Sequence, residues 1–188
     1  MCGRYKANTE EEVLEIKEIL HEISIRINEE EKKYFGKDVY PLNLAPIIDK
    51  NKNYRICKWG FTKWDGSQII FNARSESVNT SAFFKEHFKS NRCLVPAKCY
   101  YEWEKKANSK FKYAIHDDKI MFLAGIIKEE KDGDVYTILT KDADPNIKFI
   151  HERMPLIIAY DKANEYLEGK YDITYYINNN NLKYQESI

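Results

Sequence analysis

None of the four cysteines, Cys2, Cys57, Cys93 and Cys99, forms a C-x-x-C pair, which excludes a zinc ribbon and a thioredoxin-like redox site. No His/Cys/Asp cluster has ligand spacing either, so no metal and no organic cofactor is expected. No apolar run approaches the roughly 20 residues that span a bilayer, and acidic residues follow the first strand at once where a secretory signal would carry an apolar core. A soluble, reduced, cytoplasmic chain is therefore expected. Formal net charge is zero, from 30 Lys+Arg against 30 Asp+Glu. A polyanion partner is not signalled globally, and any nucleic-acid surface must be a local patch. Internal repeats, linkers and domain boundaries are also missing, and 188 residues suit one domain with a sizeable core.

What is present is aromatic and alternating. Aromatics make up 14% of the chain, enough for a packed β core or a stacking surface. Residues 2–7 suit a short strand. Thr9 and Glu12 form a capping box for a helix whose apolar positions Val13, Ile16, Ile19, Leu20, Ile23 and Ile27 recur at helical spacing. Residues 41–46 form a loop or extended stretch bounded by prolines. A hairpin over 47–49 and 54–59 follows, then a short buried strand over 69–71 and a short helix over 81–89. Strands are expected at 92–96, 98–104, 110–116, 121–128 and 135–140, with Asp132-Gly133 turning between the last two. Asp142 to Pro145 should cap a short helix reaching Ile150, before a last core strand over 156–159, a surface helix over 161–168 and a weakly specified tail. Many short strands with a few helices point to an α+β domain around a curved, largely antiparallel sheet or barrel.

The chemistry begins at Cys2. If Met1 is removed, as a small second residue permits, Cys2 carries an amine and a thiol on adjacent carbons. The amine titrates near about 8 and the thiol near about 8.5, so both are partly nucleophilic at neutral pH. An aldehyde can form a Schiff base with the amine, and the thiol can then close a thiazolidine ring. The same residues also fit an ordinary strand in which Cys2 is a small buried hydrophobe. Four polar positions, Asn72, Glu102, His151 and Arg153, sit at or near strand junctions, where rigid supports hold reactive groups. Glu102, between bulky aromatics, is expected to be desolvated and suited to proton transfer, unless its face is solvent and it pairs with a lysine. His151 is a second proton carrier; His21, His87 and His116 suit the surface. Asn72 can orient an amine or thiol without titrating. Arg4, Arg74 and Arg153 can bind a phosphate backbone if they converge. Trp59 and Trp64 offer stacking faces for unpaired bases.

Taken in order, Met1-Cys2-Gly3-Arg4-Tyr5, Asn43-Leu44-Ala45-Pro46, Trp59 through Trp64, Asn72-Ala73-Arg74-Ser75-Glu76, Arg92 through Ala97, Tyr101-Glu102-Trp103 and His151-Glu152-Arg153-Met154-Pro155 resemble the SOS-response-associated peptidase (SRAP) family of abasic site processing proteins. The resemblance covers about 2–159, leaving a C-terminal helix and tail over 161–188. It implies a single domain on a distorted, largely antiparallel β-barrel with flanking helices. It implies binding of single-stranded DNA that carries an abasic site, and a covalent ring joining Cys2 to the ring-opened sugar. By the same resemblance Cys2, Asn72, Glu102 and His151 are catalytic, and Arg4, Arg74 and Arg153 contact DNA. Asn43, Trp59 and Trp64 join the expected DNA-binding set. A monomer acting in the SOS DNA-damage response, nucleoid-associated when bound, is expected. Weak strand-cleaving lyase activity and a thiol autopeptidase role, hence a hydrolase, are also implied. The chain departs from the family pattern at Cys99, Leu42 and Thr62, where glycine, an aromatic and proline are common. Two other classes remain open: an N-terminal-nucleophile peptidase, and a plain single-strand binding module with a structural Cys2.

Overall fold

The computed structural model describes residues 2–12, 16, 29–63 and 65–187. Fourteen strands fall among them. They are β1 (Tyr5–Ala7), β2 (Asp38–Val39), β3 (Leu44–Ile48), β4 (Tyr54–Trp59), β5 (Phe61–Thr62), β6 (Ile69–Ile70) and β7 (Asn72–Arg74), then β8 (Arg92–Lys106), β9 (Ser109–His116), β10 (Met121–Lys128), β11 (Val135–Asp142), β12 (Arg153–Pro155), β13 (Ile157–Ile158) and β14 (Lys183–Glu186). Hydrogen bonding runs β10-β11-β4-β3-β8, and β8 pairs back onto β10, which closes the barrel. Its ladders are antiparallel except where β11 runs parallel to β4 and β7. The expected single-domain α+β barrel is what forms.

Alternation builds the interior. Tyr5, Ala45, Ile47, Cys57, Trp59, Cys93, Val95, Tyr136 and Ile138 are buried in one cluster. A second cluster packs the helix Ala163–Leu167 and Phe88 against the outer face of β10 and β11, through Phe122, Ala124, Ile126 and Leu139. Burying large apolar side chains is the main stabilising contribution here, about 1.5–3 kcal/mol each.

Local chemistry explains where the expected elements moved. The capping box forms, since the Thr9 N–H donates to Glu12 (2.9 Å) and the Glu12 N–H to the Thr9 hydroxyl (3.3 Å). The remainder of that helix, with His21, lies outside the described residues apart from buried Ile16. The two strands expected on either side of Ala97 are one fifteen-residue strand, β8. Pro96 falls between the Leu94–Ile48 and Ala97–Ala7 pairs, where β8 exchanges one neighbour for the next and a missing N–H is tolerated. β3 begins at Leu44, inside the expected loop. Residues 69–71 are half-buried rather than core, because β5 and β6 form a small separate hairpin. The helix expected to reach Ile150 is a set of turns instead, for Asp144 turns its carboxylate to Lys141. The last strand is β14, which covers the edge of β9.

Candidate functional site

Cys2 precedes β1 and is completely buried, at 0% exposure. Its Sγ lies 3.8 Å from the Arg4 carbonyl oxygen. The chain here is held from two sides. The Tyr101 N–H on β8 donates to the Arg4 carbonyl at 2.9 Å. The Asn72 Nδ2, at the start of β7, donates to the Cys2 carbonyl at 2.8 Å. β7 owes its place to β11, with which Asn72, Ala73 and Arg74 pair in parallel register.

Glu102 comes from β8 and is 4% exposed. The antiparallel register that sets Tyr5 against Tyr100 brings this stretch of β8 beside the N-terminal segment. Burial pushes the Cys2 thiol far above its ordinary value, and the Glu102 carboxylate pushes it further in the same direction. The resting nucleophile is thus a neutral thiol. The Asn72 Oδ1 is buried without a hydrogen-bond partner, as is the Tyr100 hydroxyl. Such buried polar atoms cost stability until something fills them.

His151 stands two residues before β12, and β12 pairs with the end of β11, sharing Thr140 with β7. Its Nδ1 accepts from the Arg153 N–H at 2.9 Å. The Arg153 carbonyl oxygen lies 3.2 Å from the same nitrogen.

The three arginines do not share one arrangement. Arg4 is ion-paired with Asp38, to which the Tyr101 hydroxyl also donates (3.2 Å). Its guanidinium lies between the rings of Tyr40 and Tyr101, 4.9 and 4.7 Å from their centroids. Arg153 forms a fork with Glu76 (2.6 and 2.9 Å) and reaches Asp142 (2.6 Å) and the Thr140 carbonyl (2.7 Å). Arg74 is exposed, and no ion pair joins it among the described residues. The anions Asp38, Glu76 and Asp142 were not legible in the sequence, being up to 77 positions from the arginines they hold.

Trp59 corrects an expectation. It is 0% exposed, its Nε1 donates to the Phe71 carbonyl (2.8 Å), and its ring packs against Tyr5, Phe71 and Tyr136. It therefore presents no face to a base. At the end of β4 it points inward, and Gly60 then lets the chain turn away at φ 128°. Trp64 lies outside the described residues. Asn43 is exposed and stabilises the turn after β2, its Oδ1 accepting from the Tyr40 N–H (3.1 Å). No group of metal ligands gathers among the described residues, and no described helix is long and apolar enough to cross a membrane.

The buried thiols make alkaline stability a readout of this packing. Burial raises the Cys57 thiol to about 11, and raises Cys93 by the same cause. Unfolded thiols ionise near 9, so above that pH the folded chain holds more protons than the unfolded one. Stability then falls as pH rises toward about 11. Melting temperature should drop steadily between pH 9 and about pH 11, and a flat profile would contradict buried, neutral thiols.

An α+β barrel that buries a thiol near its N-terminus, with an amide on its backbone and a carboxylate bearing on its sulfur, defines a class of thiol-bearing single-domain barrels. The chain belongs to the SOS response associated peptidase (SRAP) family, whose model matches residues 1–185. It is similar to the abasic site processing protein YoaM of Bacillus subtilis, 29% identical over 143 residues, covering 68% of this chain and 63% of that one. It is 26% identical over 184 residues to the abasic site processing protein YedK of Escherichia coli, covering 89% of this chain and 79% of YedK. With the abasic site processing protein HMCES of Gallus gallus it shares 30% identity over 143 residues, 57% of this chain and 43% of HMCES. A solved structure of a protein from Bacteroides thetaiotaomicron superposes with a TM-score of 0.84 at 19% identity, covering 98% of this chain and 91% of that chain, and supports the fold.

Proposed function

We propose that this protein binds single-stranded DNA carrying an abasic site and captures the sugar aldehyde on Cys2 as a thiazolidine. The observation that carries the reading is the arrangement at Cys2: a fully buried thiol, the Cys2 carbonyl fixed by Asn72, and the buried Glu102 brought alongside by the pairing of β1 with β8. The relatives named abasic site processing proteins supply the substrate class.

The sequence of steps follows from the groups present. With Met1 removed, the Cys2 amine is free to attack. His151 in its protonated form donates a proton to the sugar ring oxygen as the C1–O bond breaks, and the imidazole takes back the proton that the anomeric hydroxyl loses, which leaves the aldehyde and His151 as it began. The Cys2 amine adds to the aldehyde carbon, and the carbinolamine loses water to give an imine. Glu102 takes the thiol proton, and the sulfur adds to the imine carbon. Aldehyde plus aminothiol thus gives thiazolidine plus one water. Both nucleophiles reach one carbon without a further encounter, which is where the rate advantage lies. The imine is also the intermediate from which β-elimination, a weak lyase reaction, would proceed.

The family's description as a peptidase keeps a second reading in view, with Cys2 attacking an amide. That chemistry needs a thiolate. Burial and Glu102 hold the thiol protonated, which favours attack by the amine first.

Arg74 is the cation best placed to meet a phosphate, since Arg4 and Arg153 already carry carboxylates. Arg74→Ala should weaken binding of single-stranded DNA of any sequence. It should also reduce the slope of log affinity against log salt by about 0.7. Fluorescence anisotropy across a salt series checks this, and an unchanged slope would place the phosphate elsewhere. The first test of the function is a denaturing gel with an oligonucleotide bearing one abasic site. A heat-stable shifted band is expected, and its absence from protein with a free Cys2 amine would remove the reading.

A further inference from the structure

We propose that Tyr113, Phe149 and Tyr184 form a stacking platform for one unpaired base of the DNA strand beside the lesion, an inference that rests on the capture reading above. The three rings meet edge to face. Tyr113 and Phe149 are 5.9 Å apart at 83°, Tyr113 and Tyr184 are 5.9 Å apart at 78°, and Phe149 and Tyr184 are 5.2 Å apart at 69°. Tyr113 is buried beneath, while Phe149 and Tyr184 stay 47% and 46% exposed. Core packing does not account for this exposure, because every residue of β14 is exposed.

Place argues for a nucleic-acid occupant. Tyr113 pairs directly with Glu102 across β8 and β9, and directly opposed side chains share a face about 5 Å apart. Phe149 stands two residues before His151, and exposed Lys148 beside it offers a cation to the backbone. The platform is therefore continuous with the catalytic end of the barrel, on a different element from the Arg4–Tyr40 cluster. Two half-exposed rings offer far less than the roughly 1,200–2,000 Å² that a stable protein interface buries. They match one base, and a base of any identity has a face to stack. With Trp59 in the core, this pair also fills the stacking role the sequence had assigned to that tryptophan.

The test uses the full chain and single-stranded oligonucleotides with one abasic site and 2-aminopurine placed at each flanking position in turn. Wild type should quench 2-aminopurine most strongly at one position on one side of the lesion. F149A/Y184A should bind about 5- to 150-fold more weakly, as expected for loss of one stacked base, and should lose that quench. F149W/Y184F, which keeps both rings, should restore affinity and quench together, and this separates stacking from a folding defect. F149A/Y184A that binds within twofold of wild type with the same quench overturns the platform while capture at Cys2 stands. Wild type that forms no adduct with the same oligonucleotide overturns the capture reading instead, and the platform's role falls with it.

Discussion

Cys2→Ala is expected to form no heat-stable adduct with abasic single-stranded DNA, even after long incubation. Alanine keeps an N-terminal amine once Met1 is gone, so a transient imine should still be trapped by borohydride. Cys2→Ser should behave in the same way, with an imine but a much weaker ring closure, because a hydroxyl is a poorer nucleophile than sulfur at this position. The comparison isolates the thiol from the amine. A Cys2→Ser adduct as durable as wild type would contradict the thiazolidine step. Cys2 is fully buried in the main core cluster, so each variant's melting temperature is measured beside its adduct yield.

Asp144→Ala should lower stability more than any surface change. Lys141 and Asp144 form an ion pair whose side chains are 5% and 2% exposed. Asp144 also accepts from the Asn180 N–H at 2.7 Å, and Lys141 donates to the Asn178 carbonyl at 2.6 Å. The pair thus ties the C-terminal tail to the turns that lead into His151. Removing one partner leaves a buried charge and costs about 3–5 kcal/mol. For a chain of this size that is a fall in melting temperature of roughly 6–20 °C. The double change K141M/D144L removes both charges and should recover most of the loss, because paired burial is near balance with apolar packing. A single variant that melts like wild type would mean the pair carries little. Scanning calorimetry measures both. Adduct formation by Asp144→Ala should slow as well, since the turns over 145–150 position His151.

The legible parts of this fold are those where neighbours in sequence do the work. The Thr9–Glu12 box is a three-residue chemistry and forms as expected. Asp132-Gly133 turns β10 into β11 because glycine accepts φ 110° there. β10 itself runs over the expected residues. What local sequence missed was strand continuity and facing. Nothing local says that β8 continues through Pro96, since the tolerance comes from an exchange of partners in space. Trp59 shows the same limit. An aromatic at a strand end looks alike whether it faces solvent or the barrel interior, and only the closure of β4 between β3 and β11 decides.

The candidate site divides along the same line. Cys2 was marked by its place next to Met1, Glu102 by its aromatic strand neighbours, and Asn72 and His151 by residue type and junction position. Their surroundings were not, because Asp38, Glu76 and Asp142 reach the arginines only through folding. Those carboxylates change what the arginines offer. Two of the three phosphate candidates are partly neutralised at rest, and Arg74 alone of the three has no ion pair among the described residues.

The most direct measurement is the mass of the wild-type adduct and of its tryptic peptides. The expected result is a single adduct per chain, on the peptide Cys2-Gly3-Arg4, with Met1 absent. Its mass should be that of the DNA fragment and the peptide combined, less one water. An adduct that retains Met1, or one carried on Cys99 or a lysine, would contradict capture at Cys2.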